Sequence, residues 1–186
     1  MSSPKIIVIT ILAGLISIGA GVLGHRFFGP AGGEDGAQVS LISGTLSSRK
    51  SLPDFTLPNL AGEPRKSNEW GGKVLILNFW ATWCPPCLEE IPTFVALQEE
   101  LGDRGLQFVG IAIDAPEEVR RFAETHRINY PVLLGGEEAI ELSRNLGNRF
   151  QGLPFSVLFN RHGQVVYQQG GVLTEETVRE KIAELM

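Results

Sequence analysis

Asn78-Phe79-Trp80-Ala81-Thr82-Trp83-Cys84-Pro85-Pro86-Cys87 is the stretch on which the reading of this chain turns. It is entered through Val74–Trp80, a nearly unbroken apolar run, and left through Ile91, Phe94, Val95 and Leu101, which recur at helical spacing. The run reads as a strand covered on both faces. The residues after it read as a helix from about Pro85 to Leu101, kinked at Pro92. A strand therefore delivers a Cys-x-x-Cys pair to the start of a helix, an arrangement suited to thiol–disulfide exchange.

Cys84 and Cys87 are the only cysteines in the sequence, so no disulfide framework can form and any bridge is local. A four-ligand zinc site would need a second pair, and His25, His126 and His162 lie too far apart in sequence to supply it, so no metal is expected. The sulfur of Cys84 faces the positive end of the helix dipole, which favours the thiolate. Cys84 is thus the expected nucleophile, and Cys87, one turn on, the resolving thiol. Pro85 and Pro86 open the helix. An N-cap accepts hydrogen bonds from the second and third helical N–H groups, and Pro86 has none to give. Only the Cys87 N–H is left for the thiolate, so Cys84 is expected to be less acidic than with another residue at 86, as suits a reductant.

Outward from the motif, Pro53–Lys66 reads as short extended pieces around a turn at Ala61-Gly62, and Ser67 as the cap of a short helical turn. Leu106–Ile113 is a second buried strand, parallel to the first through a right-handed crossover. Pro116 opens a helix with Val119, Phe122 and Ala123 on its apolar face and His126 packed or capping near its end. Tyr130–Leu133 is a short strand, and Glu137–Leu146 a helix stopped by Gly147. Phe155–Phe159 and Gln164–Tyr167 flank Asn160-Arg161-His162-Gly163, a hairpin signal, and a last helix starts at Thr174. The order β-α-β-α-β-α-β-β-α predicts a mixed sheet with helices on both faces over residues 51–186.

Upstream, Ile6–Leu23 is an uncharged apolar run of 18 residues between Lys5 and Arg26. At 1.5 Å per residue it spans about 27 Å, just enough for a hydrocarbon core. Its length exceeds the usual h-region of a cleaved signal peptide, so residues 1–24 are expected to be a transmembrane anchor rather than a removed leader. Either reading exports the rest of the chain. No cysteine follows the run, which excludes a lipoprotein anchor. Residues 25–50, rich in Gly, Ala and Ser, read as a flexible linker reaching roughly 25–30 Å. The net charge of −5 and the lack of a Lys/Arg cluster argue against a nucleic-acid partner.

From Leu52 to the C-terminus the chain resembles the thioredoxin superfamily, and within it the membrane-anchored TlpA-like (ResA-like) thiol–disulfide oxidoreductases. The resemblance rests on the Asn78–Cys87 stretch, on Glu90 and Pro92, on Tyr130-Pro131-Val132-Leu133, and on Gly152-Leu153-Pro154-Phe155-Ser156. It implies a thioredoxin-like fold with a cis Leu153–Pro154 peptide beside Cys84, where the Leu153 backbone would pair with an extended client segment. Trp83 would shield the sulfur and form the groove, with Tyr130 and Pro131 either on its rim or structural, whereas Trp80 could equally be core. Phe155, where the family more often has Thr, is placed beside the same groove. Asn78 stands where thioredoxins carry a buried Asp. Glu90 is then the expected acid, raising the thiol pKa values by like charge and accepting the Cys87 proton.

Activity is implied likewise: an extracytoplasmic reductant of client disulfides, of the cytochrome c maturation or copper-site assembly type, with no cofactor and with electrons from a thiol transporter in the membrane. Such an enzyme would be a single-pass protein of the cytoplasmic membrane with its catalytic domain outside, in a periplasm where there is one. The competing reading is a general thiol–disulfide exchanger or oxidant. A peroxiredoxin-like peroxidase wants Thr or Ser three residues before its Cys and Pro seven before, where this chain has Ala81 and Leu77. A copper-delivery module wants C-x-x-x-C, and the spacing here is wrong.

Overall fold

A computed structural model describes residues 50–186. The proposed anchor and nearly all of the linker lie outside the described residues. The elements are β1 (Thr56–Pro58), β2 (Pro64–Lys66), β3 (Val74–Trp80), α1 (Pro85–Leu101), β4 (Leu106–Ala112), α2 (Pro116–Thr125), β5 (Val132–Leu134), α3 (Glu137–Asn145), β6 (Phe155–Phe159), β7 (Val165–Gly170) and α4 (Glu175–Ile182). Five strands form one sheet in the order β5-β4-β3-β6-β7, and β1 and β2 form a separate antiparallel ribbon. The pairs β3/β4 and β4/β5 are parallel, whereas β3/β6 and β6/β7 are antiparallel, so the sheet is mixed as expected.

Every residue of β3, β4 and β6 is buried, because helices cover both faces of these strands. Strand alternation sends Val74, Ile76 and Trp80 to one face, where they meet Ile91, Phe94 and Leu97 of α1, Val119 of α2 and Val178 and Ile182 of α4. Leu75, Leu77 and Phe79 face the other way, onto Ala139 and Leu142 of α3 and onto Leu57 and Trp70. Asn78 sits in the middle of this apolar strand, opposite Gly110 on β4 and Ser156 on β6. Gly110 is glycine for space: a Cβ there would lie 2.9 Å from Trp80 Nε1.

Several local expectations change. Ser67 is not a cap. Lys66 is the N-cap of a 3-10 turn over Ser67–Trp70, and the Glu69 carboxylate accepts from the Lys66 N–H at 2.6 Å. The Ser67 hydroxyl instead accepts from the Phe55 N–H at 3.2 Å. Of the two readings of Tyr130 the structural one holds: it is buried against Phe108, with ring centroids 5.9 Å apart. Phe155 is also a core residue, tilted against Phe79 at 6.1 Å, rather than a groove residue. Trp80 belongs to the core as well, packed on Phe122. His126 caps α2 and stacks on Phe122 at 3.9 Å. Helix α1 runs on through Pro92, which removes one hydrogen bond without ending it.

Candidate active site

Cys84 is the N-cap of α1, in extended conformation, and its sulfur is bonded to that of Cys87. Strand β3 ends at Trp80, and its carbonyl accepts from the Ile113 N–H at 2.9 Å, which ties the turn to the end of β4. Thr82 is held by Asp114: one carboxylate oxygen accepts from the Thr82 N–H at 2.9 Å and from its hydroxyl at 2.5 Å. The turn that leads into the cysteines is thus tied down at Trp80 and at Thr82. Cys84 is 4% exposed and Cys87 0%, while Trp83 beside them is 67% exposed.

The helix starts where the sequence suggests, but the donor arithmetic is tighter. Pro85 and Pro86 occupy the first two helical positions, and no side-chain cap bond forms. The Cys87 N–H, which was to serve the Cys84 sulfur, donates to the Cys84 carbonyl at 3.0 Å, and the Leu88 N–H donates to the same oxygen at 3.3 Å. In the disulfide form the first turn therefore presents no free backbone donor up to Leu88.

Antiparallel pairing of Phe79 with Phe155 brings the start of β6 to the end of β3. Leu153–Pro154, just before β6, is cis and lies at this end of the sheet. Leu153 is half-buried, and among the described residues its backbone N–H and C=O make no hydrogen bond.

Glu90 lies one turn beyond Cys87 and is 1% exposed. One carboxylate oxygen accepts from Asn78 Nδ2 at 2.6 Å and the other from the Leu173 N–H at 2.8 Å. Asn78 Nδ2 also donates to the Ser156 hydroxyl at 3.0 Å, while its Oδ1 is buried without a partner. Burial pushes the Glu90 carboxyl up to about 7, against the smaller opposing pull of the Leu173 and Asn78 hydrogen bonds. Burial, and then the negative charge of Glu90, raises the Tyr130 phenol far above its ordinary range, so it stays protonated. Among the described residues the site has a single buried acid, supplied by α1 and held by Asn78 of β3.

Sequence reasoning missed three partners. Ser156 was in a quoted motif and could have been found from the β3/β6 register. Asp114 and the Leu173 backbone left no signal, because each acts across a loop far away in sequence. Among the described residues, no group of His, Cys, Asp and Glu could hold a metal ion.

An N-capping cysteine bonded to its neighbour one turn on, at the end of a central strand and beside a cis-proline loop, defines a thioredoxin-fold thiol–disulfide oxidoreductase. Residues 47–185 match the Redoxin family. The thiol–disulfide oxidoreductase ResA of Halalkalibacterium halodurans is 33% identical over 128 residues, covering 68% of this chain and 70% of that protein. The thioredoxin-like protein YneN of Bacillus subtilis is 31% identical over 134 residues, covering 70% and 75%. Among solved structures, a thioredoxin-family thiol:disulfide interchange protein of Chlorobium tepidum superposes with a TM-score of 0.68 at 31% identity, covering 74% of this chain and 96% of that one. The chain belongs to the Redoxin family and, within the thioredoxin superfamily, to the TlpA/ResA-like thiol–disulfide oxidoreductases.

Proposed function

We propose that this oxidoreductase works outside the cytoplasm as a membrane-tethered reductant of client-protein disulfides, with clients of the cytochrome c maturation or copper-site assembly type. The observation that carries the reductant reading is Glu90, a sealed carboxyl pushed to about 7 one turn behind the resolving cysteine. A reductant must start from two thiols and give up two protons with its two electrons, and a buried acid titrating near neutrality is matched to receiving one of them. The extracytoplasmic reading is supported by the apolar run of residues 6–23.

In this scheme the Cys84 thiolate attacks one sulfur of the client disulfide, and the other leaves as a thiolate that takes a proton. Cys87 then loses its proton to Glu90 and attacks Cys84 in the mixed disulfide. This breaks the Cys84–client bond and expels the second client sulfur as a thiolate that takes the proton back from Glu90. The enzyme ends as the Cys84–Cys87 disulfide and the client as a dithiol, so two electrons and two protons have moved. Trp83 and Leu153 hold the client segment, Leu153 through its unpaired backbone N–H and C=O, while Pro154 fixes the loop beside the sulfur. A thiol transporter in the membrane returns the enzyme to the dithiol.

Two measurements test this. The Cys84–Cys87 couple should equilibrate below the glutathione pool, at less than about −260 mV. A value near the −120 mV or so of strong oxidants would overturn the reductant reading. The Cys87→Ser protein should accumulate clients as mixed disulfides on Cys84; a broad scatter of partners would favour a general exchanger instead.

A further inference from the structure

The two edges of the five-stranded sheet differ in how they are covered. β5 is three residues long, and Asn59, just after β1, bridges it at Leu133. β7 is six residues long, with no charge and no proline along it. An open edge of that kind is a template for another strand. Alternation shows which of its backbone groups are open. The Gly171 N–H donates to the Pro154 carbonyl at 2.9 Å, and Gln169 pairs with Ser156, so residues 167 and 169 turn their backbone groups to β6. Gln168 and Gly170 turn theirs outward. Among the described residues the only partner there is the Gln169 side-chain amide, on the Gly170 carbonyl at 3.1 Å.

The chain itself has begun to close this edge. The Val165 N–H donates to the Lys50 carbonyl at 2.8 Å and the Leu52 N–H to the Gly163 carbonyl at 2.7 Å, so Ser51 stands opposite Gln164 in an antiparallel bridge. Lys50 is the first described residue, and Thr45-Leu46-Ser47-Ser48-Arg49 before it holds no glycine or proline to break a strand. Val166 is an extra residue in β7, since Leu158 pairs with Tyr167 and Phe159 with Val165. Past that bulge, the ladder begun at Lys50 places Ser48 opposite Gln168 and Leu46 opposite Gly170. These are the two positions with outward backbone groups.

Side chains agree with this register. Lys50 donates to the Asn145 carbonyl at the end of α3, at 2.9 Å, and so lies on the α3 face of the sheet. Its neighbour Arg49 then falls on the α4 face. A groove of about 580 Å³ lies there between β7 and α4, with Val166, Tyr167, Glu180, Lys181 and Glu184 among its walls. Glu180 is paired with Lys181 at 2.7 Å, whereas Glu184 makes no ion pair among the described residues.

We propose that residues 45–49 dock on β7 as a sixth, antiparallel strand, with the stem of Arg49 across Val166 and its guanidinium at Glu184. A second copy of the chain would compete for the same edge. The segment is joined to the edge at Lys50, however, and a short tether gives it an effective concentration in the millimolar range. Covalent linkage therefore decides the occupant. At about 3.3 Å per residue the five residues cover roughly 16 Å. They carry the chain from the hairpin end, where Lys50 lies, to Gly170, whose neighbour Gly171 is bonded to the cis-proline loop. The chain thus leaves the domain at the redox end of the sheet, and the linker ends at Gly44 rather than at Lys50. None of this depends on the reductant reading.

Residue-resolved hydrogen exchange on the full chain tests it. The amides of Leu46, Ser48, Gln168 and Gly170 should exchange at least about tenfold more slowly than freely exposed ones. Ser48→Pro removes a donor to β7 and should release Gln168 and Gly170, while Ser47→Pro, at a position whose N–H faces outward, should leave them slow. Arg49→Glu should speed their exchange by a few-fold, the worth of an exposed ion pair, and adding Glu184→Lys should restore it. The amides of β3 and β4 report on folding and should stay protected in every variant. Gln168 and Gly170 exchanging as freely exposed amides in wild type would overturn the sixth strand, as would protection that Ser48→Pro leaves intact. Protection that fades on dilution would also overturn it, since a second copy would then be the occupant.

Discussion

Two carboxylates, Asp114 on the loop before α2 and Glu90 on α1, are both well supplied with hydrogen bonds. Asp114 accepts from the Thr82 N–H, the Thr82 hydroxyl and the Ala115 N–H; Glu90 accepts from Asn78 and the Leu173 N–H. Their acidities nevertheless move in opposite directions. Burial raises Asp114, but its three donors outweigh that and hold it below the usual Asp value. At Glu90 burial is nearly complete and two donors do not offset it, so the carboxyl rises to about 7. Hydrogen bonds alone do not set a pKa; the balance between donors and desolvation does. The half-exposed acid ties down Thr82, whereas the sealed one holds its proton into the neutral range.

The largest effect should come from Asn78→Asp. It would set a second carboxyl 2.6 Å from Glu90 with no cation beside either. Two such groups cannot both ionise, so at neutral pH the variant should lose about 3–5 kcal/mol in denaturant unfolding and recover much of it in acid. An unchanged unfolding midpoint at pH 8 would mean that Asn78 and Glu90 are not in contact.

Next in size is the pH dependence of stability carried by Glu90. Its folded pKa lies above the unfolded value of 4.5, so the folded state holds the proton more tightly. Its contribution is therefore fully present below about pH 4.5 and is lost as pH rises through 7, by about 3 kcal/mol in all. Glu90→Gln should flatten the unfolding free energy over that window relative to wild type. Asp114 has the opposite sign: its depressed pKa gives stability above its unfolded value of 3.8 that is lost as pH falls through the folded one. Asp114→Ala should cost about 1–2 kcal/mol at pH 7, with a smaller difference in acid, and should loosen Thr82 in amide exchange.

The smallest effect concerns the thiolate. Pro86→His restores an N–H at the second helical position, while the Cys87 N–H remains on the Cys84 carbonyl. The Cys84 pKa should fall by about one unit when followed by alkylation. An equal or higher value would show that the prolines do not limit the donors.

Much of this was legible in the chain. The apolar run Val74–Trp80, the helical spacing after Cys87 and the hairpin at Asn160–Gly163 state their structures locally, and all formed as read. Glu90 was singled out by its spacing from Cys87, but its complete burial was not, because that depends on α4 and on Leu173 coming over it from 83 positions away. Phe155 was misplaced for the same reason, because its neighbours in sequence point at the groove while its ring packs on Phe79. Tyr130, left open between rim and core, is settled by its contact with Phe108. A cavity beside Trp83 was invisible, since Ile113, Ile140 and Gln151 meet there only after β4, α3 and the loop before β6 have packed.

The central claim is that Glu90 handles the proton of the resolving thiol. It is tested most directly by the rate at which the reduced enzyme attacks a disulfide, followed against pH in wild type and Glu90→Gln. Wild type should show an inflection near pH 7, and the variant should lose it and react at lower pH, because removing the neighbouring charge lets the thiols ionise earlier. Superimposable profiles would contradict the account.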